Sequence, residues 1–303
     1  MAKLPSRVLP AVIRVTGRDR PLSSARKARE HMEELRIRPR PFGPPRRLRP
    51  DVSISAERRG GWPIYTLTPE GTSPDGVFVY LHGGGWVNEI VSEHWRFAAQ
   101  IAAEARLRVI VPIYPLAPFG TAAEVVATVA DLVAREYCDA AAVSLGGDSA
   151  GGQIALSAAV LLRDGHGVPL SANVLIAPVL DLSLTNPAID HVETRDPWLA
   201  RPGIRVWADE WRGELPLTDP RVSPLVADLT GLGPMTLFSG TRDLLNPDAR
   251  LLVEKASAAG VDVDYHEGAG LLHVFPLTPT PEGRAARSVV VDTLRGAHRR
   301  VAT

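Results

Sequence analysis

Ala140-Ala141-Ala142-Val143-Ser144-Leu145-Gly146-Gly147-Asp148-Ser149-Ala150-Gly151 is the stretch whose reading decides the fold. Residues 140–145 form a short apolar run that reads as a buried strand, and residues 150–162 read as a helix. Glycines two positions either side of Ser149 let the chain turn sharply from strand to helix, where a bulky side chain would clash. Such a turn holds a serine in a strained conformation with its hydroxyl exposed. The helix that follows favours negative charge near the Ala150 N–H. Glycine is common here, 26 of 303 residues, so the pattern takes its meaning from the strand before it and the helix after it.

Working outward, apolar runs at 77–81, 108–114, 173–180, 235–239 and 261–266 alternate with helical stretches at 94–105, 121–136, 247–259 and 282–295. That alternation implies a mostly parallel α/β sheet covered on both faces. Residues 52–56 and 64–68 are expected to pair as an antiparallel start to it. Two regions break the pattern. Residues 1–50 contain a helix-like stretch at 23–36, where Ala25, Ala28, Met32 and Leu35, with Leu22 just before, are spaced by three or four and make one apolar face, followed by Pro- and Arg-rich chain. Residues 182–222 carry Trp198, Trp207 and Trp211 between two strands, well beyond the usual connection of about 2–6 residues. These tryptophans either line a pocket or pack within the insertion.

Three further segments bear on chemistry. His82-Gly83-Gly84-Gly85-Trp86 directly follows the 77–81 strand. Its glycines free backbone N–H groups to face a ligand oxygen, as acyl transfer requires when a carbonyl becomes an anion. The Walker lysine and the G-x-G-x-x-G spacing of phosphate loops are both missing from it. Gly83, Gly84 and Gly85 are the candidate donors with Ala150, the choice among the glycines being open. A serine nucleophile needs a base, and the base an acid, in the chain order Ser, Asp or Glu, His. His266 falls inside an expected strand, whereas His273 lies in the loop beyond it, so His273 is the candidate base. Asp243 emerges at the end of the 235–239 strand and is the candidate acid. Its rival Asp248 reads as part of a helix start, with Asn246 as N-cap and Pro247 at the first helical position. The remaining histidines show no metal-ligand spacing, and no metal or organic cofactor is called for.

Composition limits the partners. Lys plus Arg and Asp plus Glu both number 34, giving a formal net charge of zero, which argues against nucleic acid as the main partner. The basic cluster Arg46, Arg47 and Arg49 reads as solvated linker rather than a membrane patch. No apolar run approaches the roughly 18 residues of a membrane span, and the first 17 residues lack a signal-peptide apolar core. Cys138 is the lone cysteine, expected to be a buried small hydrophobe and consistent with a cytoplasmic setting.

Taken together, the motifs resemble the bacterial hormone-sensitive-lipase-like (family IV) esterases of the α/β-hydrolase fold, from about residue 77 onward. His82-Gly83-Gly84-Gly85-Trp86 and Gly147-Asp148-Ser149-Ala150-Gly151-Gly152 match that family's two hallmark motifs. Tyr114-Pro115-Leu116-Ala117-Pro118 is similar to its Y-R-L-A-P segment with Pro115 in place of the arginine. Asp196-Pro197-Trp198, Ser223-Pro224, residues 240–248 and His273-Val274-Phe275 fall where it has comparable motifs. The resemblance implies the triad Ser149, Asp243 and His273, an eight-stranded sheet, and a helical cap built from the N-terminus and the insertion. One domain over 1–303 is then expected, with cap segment 1–50, core 51–181, cap insertion 182–222 and core 223–303. Trp86 and Trp198 are the expected substrate contacts. The expected function is hydrolysis of short- to medium-chain carboxylic esters. Lactonase, deacetylase or amidase chemistry on the same triad stays open, as does a homodimer. A receptor on this scaffold, like the plant gibberellin receptors that resemble this family, would lack the histidine that His273 supplies.

Overall fold

The computed structural model describes residues 4–140 and 142–301. Its centre is strand β3 (Val77–Leu81), five residues buried on both sides. A strand reads as a continuous apolar run only when helices cover both faces of its sheet, and the two cores show this directly. Val77, Val79 and Leu81 point into one, shared with Val125, Val129 and Ile154, while Phe78 and Tyr80 point into the other, shared with Trp95, Phe97, Val290 and Leu294. Each such side chain contributes about 1.5–3 kcal/mol by leaving water.

Eight strands form the sheet: β1 (Val52–Arg59), β2 (Trp62–Pro69), β3, β4 (Arg108–Pro112), β5 (Val143–Asp148), β6 (Asn173–Ile176), β7 (Met235–Gly240) and β8 (Val263–Gly268), in the order β1-β2-β4-β3-β5-β6-β7-β8. The β1–β2 and β2–β4 pairs are antiparallel and the rest parallel, as the alternating pattern and the opening hairpin imply. Strand β1 is an edge, and its outward Ser53, Ser55, Glu57 and Arg58 keep that edge wet. The parallel register aligns Leu81 with Gly147, Asp148 with Ile176 and Gly240 with Gly268, so the loops after β3, β5, β7 and β8 leave one edge of the sheet together. That edge is where open α/β sheets bind ligands.

The helices are α1 (Leu9–Thr16), α2 (Ala25–Ile37), α3 (Ser92–Ile101), α4 (Ala122–Ala140), α5 (Ala150–Leu161), α6 (Ile189–Glu193), α7 (Arg201–Arg212), α8 (Asn246–Ala258) and α9 (Pro281–Val301). Helix α5 is apolar and buried all round, as befits a helix between the sheet and other helices. Helix α2 begins where Ser24, in extended conformation, accepts from Lys27 N at 3.3 Å. Its Ala28 and Leu22 just before it are buried, and α2 packs against α7 of the 182–222 insertion.

Four local readings need correction. Helix α4 continues through Ala140, so β5 begins only at Val143. Strand β8 starts at Val263 because Val261 N still bonds back to Ala256 O, closing α8. Asn246 is the first helical residue of α8 and caps nothing. It is buried, and its amide turns inward to Ser239 Oγ, Tyr265 Oη and Glu267 Oε1 at 3.2, 3.3 and 2.9 Å. Cys138 is exposed, since it lies off the buried stripe Val125, Val129, Leu132, Val133 and Glu136 of α4.

The contact between the N-terminal segment and α7 is close enough to test. A β-carbon at Gly203 in α7 would lie 2.4 Å from Leu22 Cα, whereas one at Gly165 meets nothing within 4 Å. Gly203→Ala should cost about 1–3 kcal/mol by overpacking, read as a lower melting temperature, while Gly165→Ala should leave it unchanged.

Candidate active site

Ser149 sits between β5 and α5 with φ +53° and ψ −119°, a conformation that a residue with a side chain holds only under constraint. Its N–H donates to Ile176 O at 2.9 Å, and its carbonyl accepts from Gln153 N and Val179 N, both at 3.1 Å. The bend is tight: a β-carbon at Gly151 would lie 2.1 Å from Leu81 O. That close approach brings the end of β3, and hence the glycine loop, against the first turn of α5.

The loops after β7 and β8 deliver the partners. His273 Nε2 lies 3.0 Å from Ser149 Oγ, and His273 Nδ1 lies 2.8 Å from Asp243 Oδ2. An ionised carboxylate only accepts, so Nδ1 carries the proton and Nε2 is free to take the serine's. Asp243 is fully buried, and its Oδ1 accepts from Leu245 N at 2.9 Å. The two loops are laced together by Arg242 N to Leu271 O at 3.0 Å and Gly270 N to Thr241 Oγ1 at 2.8 Å. Burial pulls the His273 imidazole down in pKa, but the Asp243 charge and hydrogen bond, with smaller contributions from the Asp196 and Asp148 charges, outweigh it and leave it raised.

The rival residues lie elsewhere. His266 stacks on Phe238, with ring centroids 4.8 Å apart, and faces Asp264 Oδ2 at 2.9 Å. Asp248 is buried and accepts from Asn186 Nδ2 at 2.8 Å, with its pKa pushed up to about 6 by burial. Neither joins the Ser149 cluster.

In the glycine loop, Gly83 N donates to Asp148 Oδ1 at 3.0 Å, so that N–H is committed within the protein. Gly83 is therefore corrected out of the candidate donors, leaving Gly84, Gly85 and Ala150. Asp148, to which the sequence alone assigned no role, also accepts from Tyr80 Oη at 2.5 Å and has His94 Nε2 at 3.3 Å. These donors outweigh burial and hold its carboxyl below the usual range.

Trp86 also requires correction. It is 1% exposed, stacked on Trp211 at 5.9 Å, and its indole N–H donates to Gln153 Oε1 at 3.0 Å, so it packs the core rather than facing a ligand. Trp211 donates to the same Gln153 oxygen at 2.9 Å. Trp207 donates to Ala28 O at 3.2 Å, and a β-carbon at Gly85 would meet its ring at 2.5 Å. His31 of α2 reaches Asn88 Oδ1, just past the glycine loop, at 2.7 Å. Trp198 is half-buried and meets His273 edge to face, centroids 5.6 Å apart. Among the described residues, no group of three or more His, Cys, Asp or Glu is placed to hold a metal ion.

A second serine–histidine pair exists, Ser144 Oγ and His298 Nε2 at 2.9 Å, both fully buried. It lies near the start of β5, at the opposite end of that strand from Ser149. His298 Nδ1 has no hydrogen-bond partner, so nothing orients the ring as Asp243 orients His273. Burial lowers the His298 pKa to about 4. This pair pins α9 to the sheet.

Comparison with known proteins agrees with the fold. A family model described as alpha/beta hydrolase fold matches residues 78–277. An acetyl-hydrolase of Streptomyces hygroscopicus is 33% identical over 73% of this chain and 76% of its own length. A carboxylesterase of Mycobacterium tuberculosis is 29% identical over 82% of this chain and 83% of its own. Among solved structures, an esterase from the bacterial hormone-sensitive lipase family superposes with TM-score 0.78 at 32% identity, covering 98% of this chain and all of that one.

The buried His298 carries a signed expectation. Its folded pKa of about 4 lies below the unfolded value of about 6.5, so the unfolded chain takes up the extra proton first and stability is lost as pH falls through that window. Ser144→Ala with His298→Leu removes this term. Melted side by side from pH 7 to 4, the double variant should gain on the wild type with acidification; a constant gap between the two curves contradicts the reading.

Proposed function

Because the chain belongs to the α/β-hydrolase family, in the hormone-sensitive-lipase-like group of esterases and lipases, we propose that Ser149, His273 and Asp243 are the catalytic triad of a carboxylic ester hydrolase. The observation that carries the assignment is the unbroken line from Ser149 Oγ through His273 to Asp243 Oδ2, with steps of 3.0 and 2.8 Å. Family membership makes the chain a hydrolase acting on small-molecule esters.

The chemistry follows from the atoms. His273 Nε2 takes the Ser149 proton as Oγ attacks the ester carbonyl. The new oxyanion is met by the Ala150 N–H at the α5 N-terminus and by the Gly84 and Gly85 N–H groups. The protonated imidazole, stabilised by Asp243, gives its proton to the departing alcohol. Water then attacks the acyl carbon while losing a proton to the same nitrogen, the acyl–Oγ bond breaks to release the acid, and the imidazolium returns the proton to Ser149 Oγ.

Helices α2 and α7 act as a cap in this reading. The support is Trp207 against Gly85 and His31 on Asn88, which bring both segments over the glycine loop. A cap this close to the oxyanion donors excludes water and favours short to medium acyl chains, a preference in line with the acetyl-hydrolase relative. No described helix is long and apolar enough to cross a membrane. The lone Cys138 fits a reducing cytoplasm, and the balanced charge fits a protein without a nucleic-acid partner.

Ser149→Ala should fold normally and lose turnover by roughly 10⁶-fold, and an organophosphate should label wild-type Ser149 alone, as read by mass spectrometry. Labelling at Ser144 instead would overturn the assignment. Wild-type kcat/KM should fall in acid, because only neutral His273 accepts the proton and its pKa is raised. Removing residues 1–45 should shift the acyl-length profile measured on a series of p-nitrophenyl esters; an identical profile on every chain length refutes the cap. The same screen, extended to lactones and acetylated substrates, sets the substrate class.

A further inference from the structure

The carboxylate of Asp196 sits where two segments of the site meet. Its Oδ1 accepts from Trp198 N and Leu199 N at 2.8 and 3.0 Å, and its Oδ2 accepts from Leu244 N at 2.7 Å. Leu244 is the residue after Asp243, and Trp198 is the indole that meets the His273 ring edge to face. A second tie runs alongside: the Arg242 guanidinium donates through Nε and Nη2 to Arg195 O, each at 3.2 Å. Residues 195–199 of the insertion are thereby clamped to residues 242–244 of the loop that holds the acid. We propose that Asp196 is a positioning residue for the reaction, clamping the Asp243 loop to the Trp198 segment and adding a second negative charge to that of Asp243.

The chemistry of the side chain explains why a carboxylate stands there. Three backbone donors converge from two segments, two on one oxygen and one on the other, and only a group with two acceptor oxygens takes both sets. An asparagine has one acceptor oxygen, so turning it toward Trp198 and Leu199 points an N–H₂ at Leu244 N–H. Packing a second carboxylate beside Asp243 has a cost. Burial and the Asp243 charge push Asp196 up to about 6, while the three N–H groups work against that rise. The titratable groups that interact with it are Asp243 and His273, and the Arg242 guanidinium reaches the same segment at the Arg195 backbone carbonyl. The Asp196 charge is also one of those that raise the His273 pKa, after Asp243.

The inference rests on His273 being the base, and the test separates the two. If His273→Ala keeps turnover, the triad reading itself is wrong. If His273→Ala is dead, Asp196 is tested alone. Asp196→Asn, shown to be folded by circular dichroism, should lower kcat on the order of 10- to 100-fold with little change in KM, since misplacing a catalytic group by about an ångström has that effect. Its acid limb of kcat/KM should also move to lower pH, because losing a nearby negative charge makes the imidazolium easier to deprotonate. Asp196→Glu keeps the charge with altered reach, and it should lower kcat while leaving the acid limb in place. A merely structural residue would lower the melting temperature and the yield of active enzyme without moving the pH limb. An unmoved limb in Asp196→Asn, or an equal shift in Asp196→Glu, overturns the proposal. Should the Asn variant not fold, Asp196→Ser gives the same neutral comparison.

Discussion

One buried carboxylate joins the two backbone features on which the proposed chemistry relies. Asp148 is the last residue of β5 and the neighbour of Ser149, and it receives the Gly83 N–H of the loop after β3. The strained Ser149 backbone and the glycine loop are therefore braced by one side chain rather than set independently. A charge taken so far out of water costs several kcal/mol unless it is fully satisfied. Tyr80 and His94 supply the remaining donors, and His94 is itself oriented by Val91 N donating to its Nδ1 at 3.0 Å. With Gly83 occupied in this way, the next two amides of the loop are the ones left for a substrate oxygen.

A second polar anchor, Gln153, does for the cap what Asp148 does for the loop. It lies one turn into α5 from Ser149, and its oxygen accepts from both Trp86 and Trp211. Its amide nitrogen donates to Ser157 Oγ at 3.0 Å and Arg221 O at 2.7 Å. Three of these four hydrogen bonds are buried in the packing of α5, the glycine loop and the insertion, where an unsatisfied group would cost about 1–3 kcal/mol, and the one to Arg221 O is part-buried. The apolar area of the stacked indoles supplies attraction, while the amide sets how the insertion sits over the core. The position of α7 above the loop thus follows from the same helix that carries Ser149.

Comparing the two serine–histidine pairs shows what sets the proposed triad apart beyond proximity. Their oxygen-to-nitrogen distances are 2.9 Å for Ser144–His298 and 3.0 Å for Ser149–His273. They differ in the third group and in place. Asp243 orients His273 and raises its pKa, and the Ser149 end of β5 opens onto glycine loop, helix N-terminus and cap. His298 has no such acid, its ring is kept neutral by burial, and its hydroxyl partner is sealed in the core. The same two residue types serve packing at one end of a strand and meet the geometric requirements of acyl transfer at the other.

Sequence alone was enough for the parts that local chemistry dictates. Short continuous apolar runs and the stretches between them outlined the alternating elements, two glycines about Ser149 required a bend, and chain order with loop position singled out Asp243 and His273 as candidates over Asp248 and His266. Such signals are local, because a strand end, a tight turn and an apolar face each leave a mark within ten residues or so. What only the tertiary structure decided are relations between segments far apart in the chain. Which glycine amide is already taken depends on Asp148, 65 residues away. Trp86 faces the core because Gln153 and Trp211 meet it there, although its place after the glycine loop suggested a ligand contact. Asn246 turns inward to groups on β7 and β8, so it cannot cap its helix. Asp196 touches both the insertion and the acid loop, a role invisible in Asp196-Pro197-Trp198 read as a motif. A buried polar group is defined by the partners that satisfy it, and those partners become neighbours only once the chain has folded.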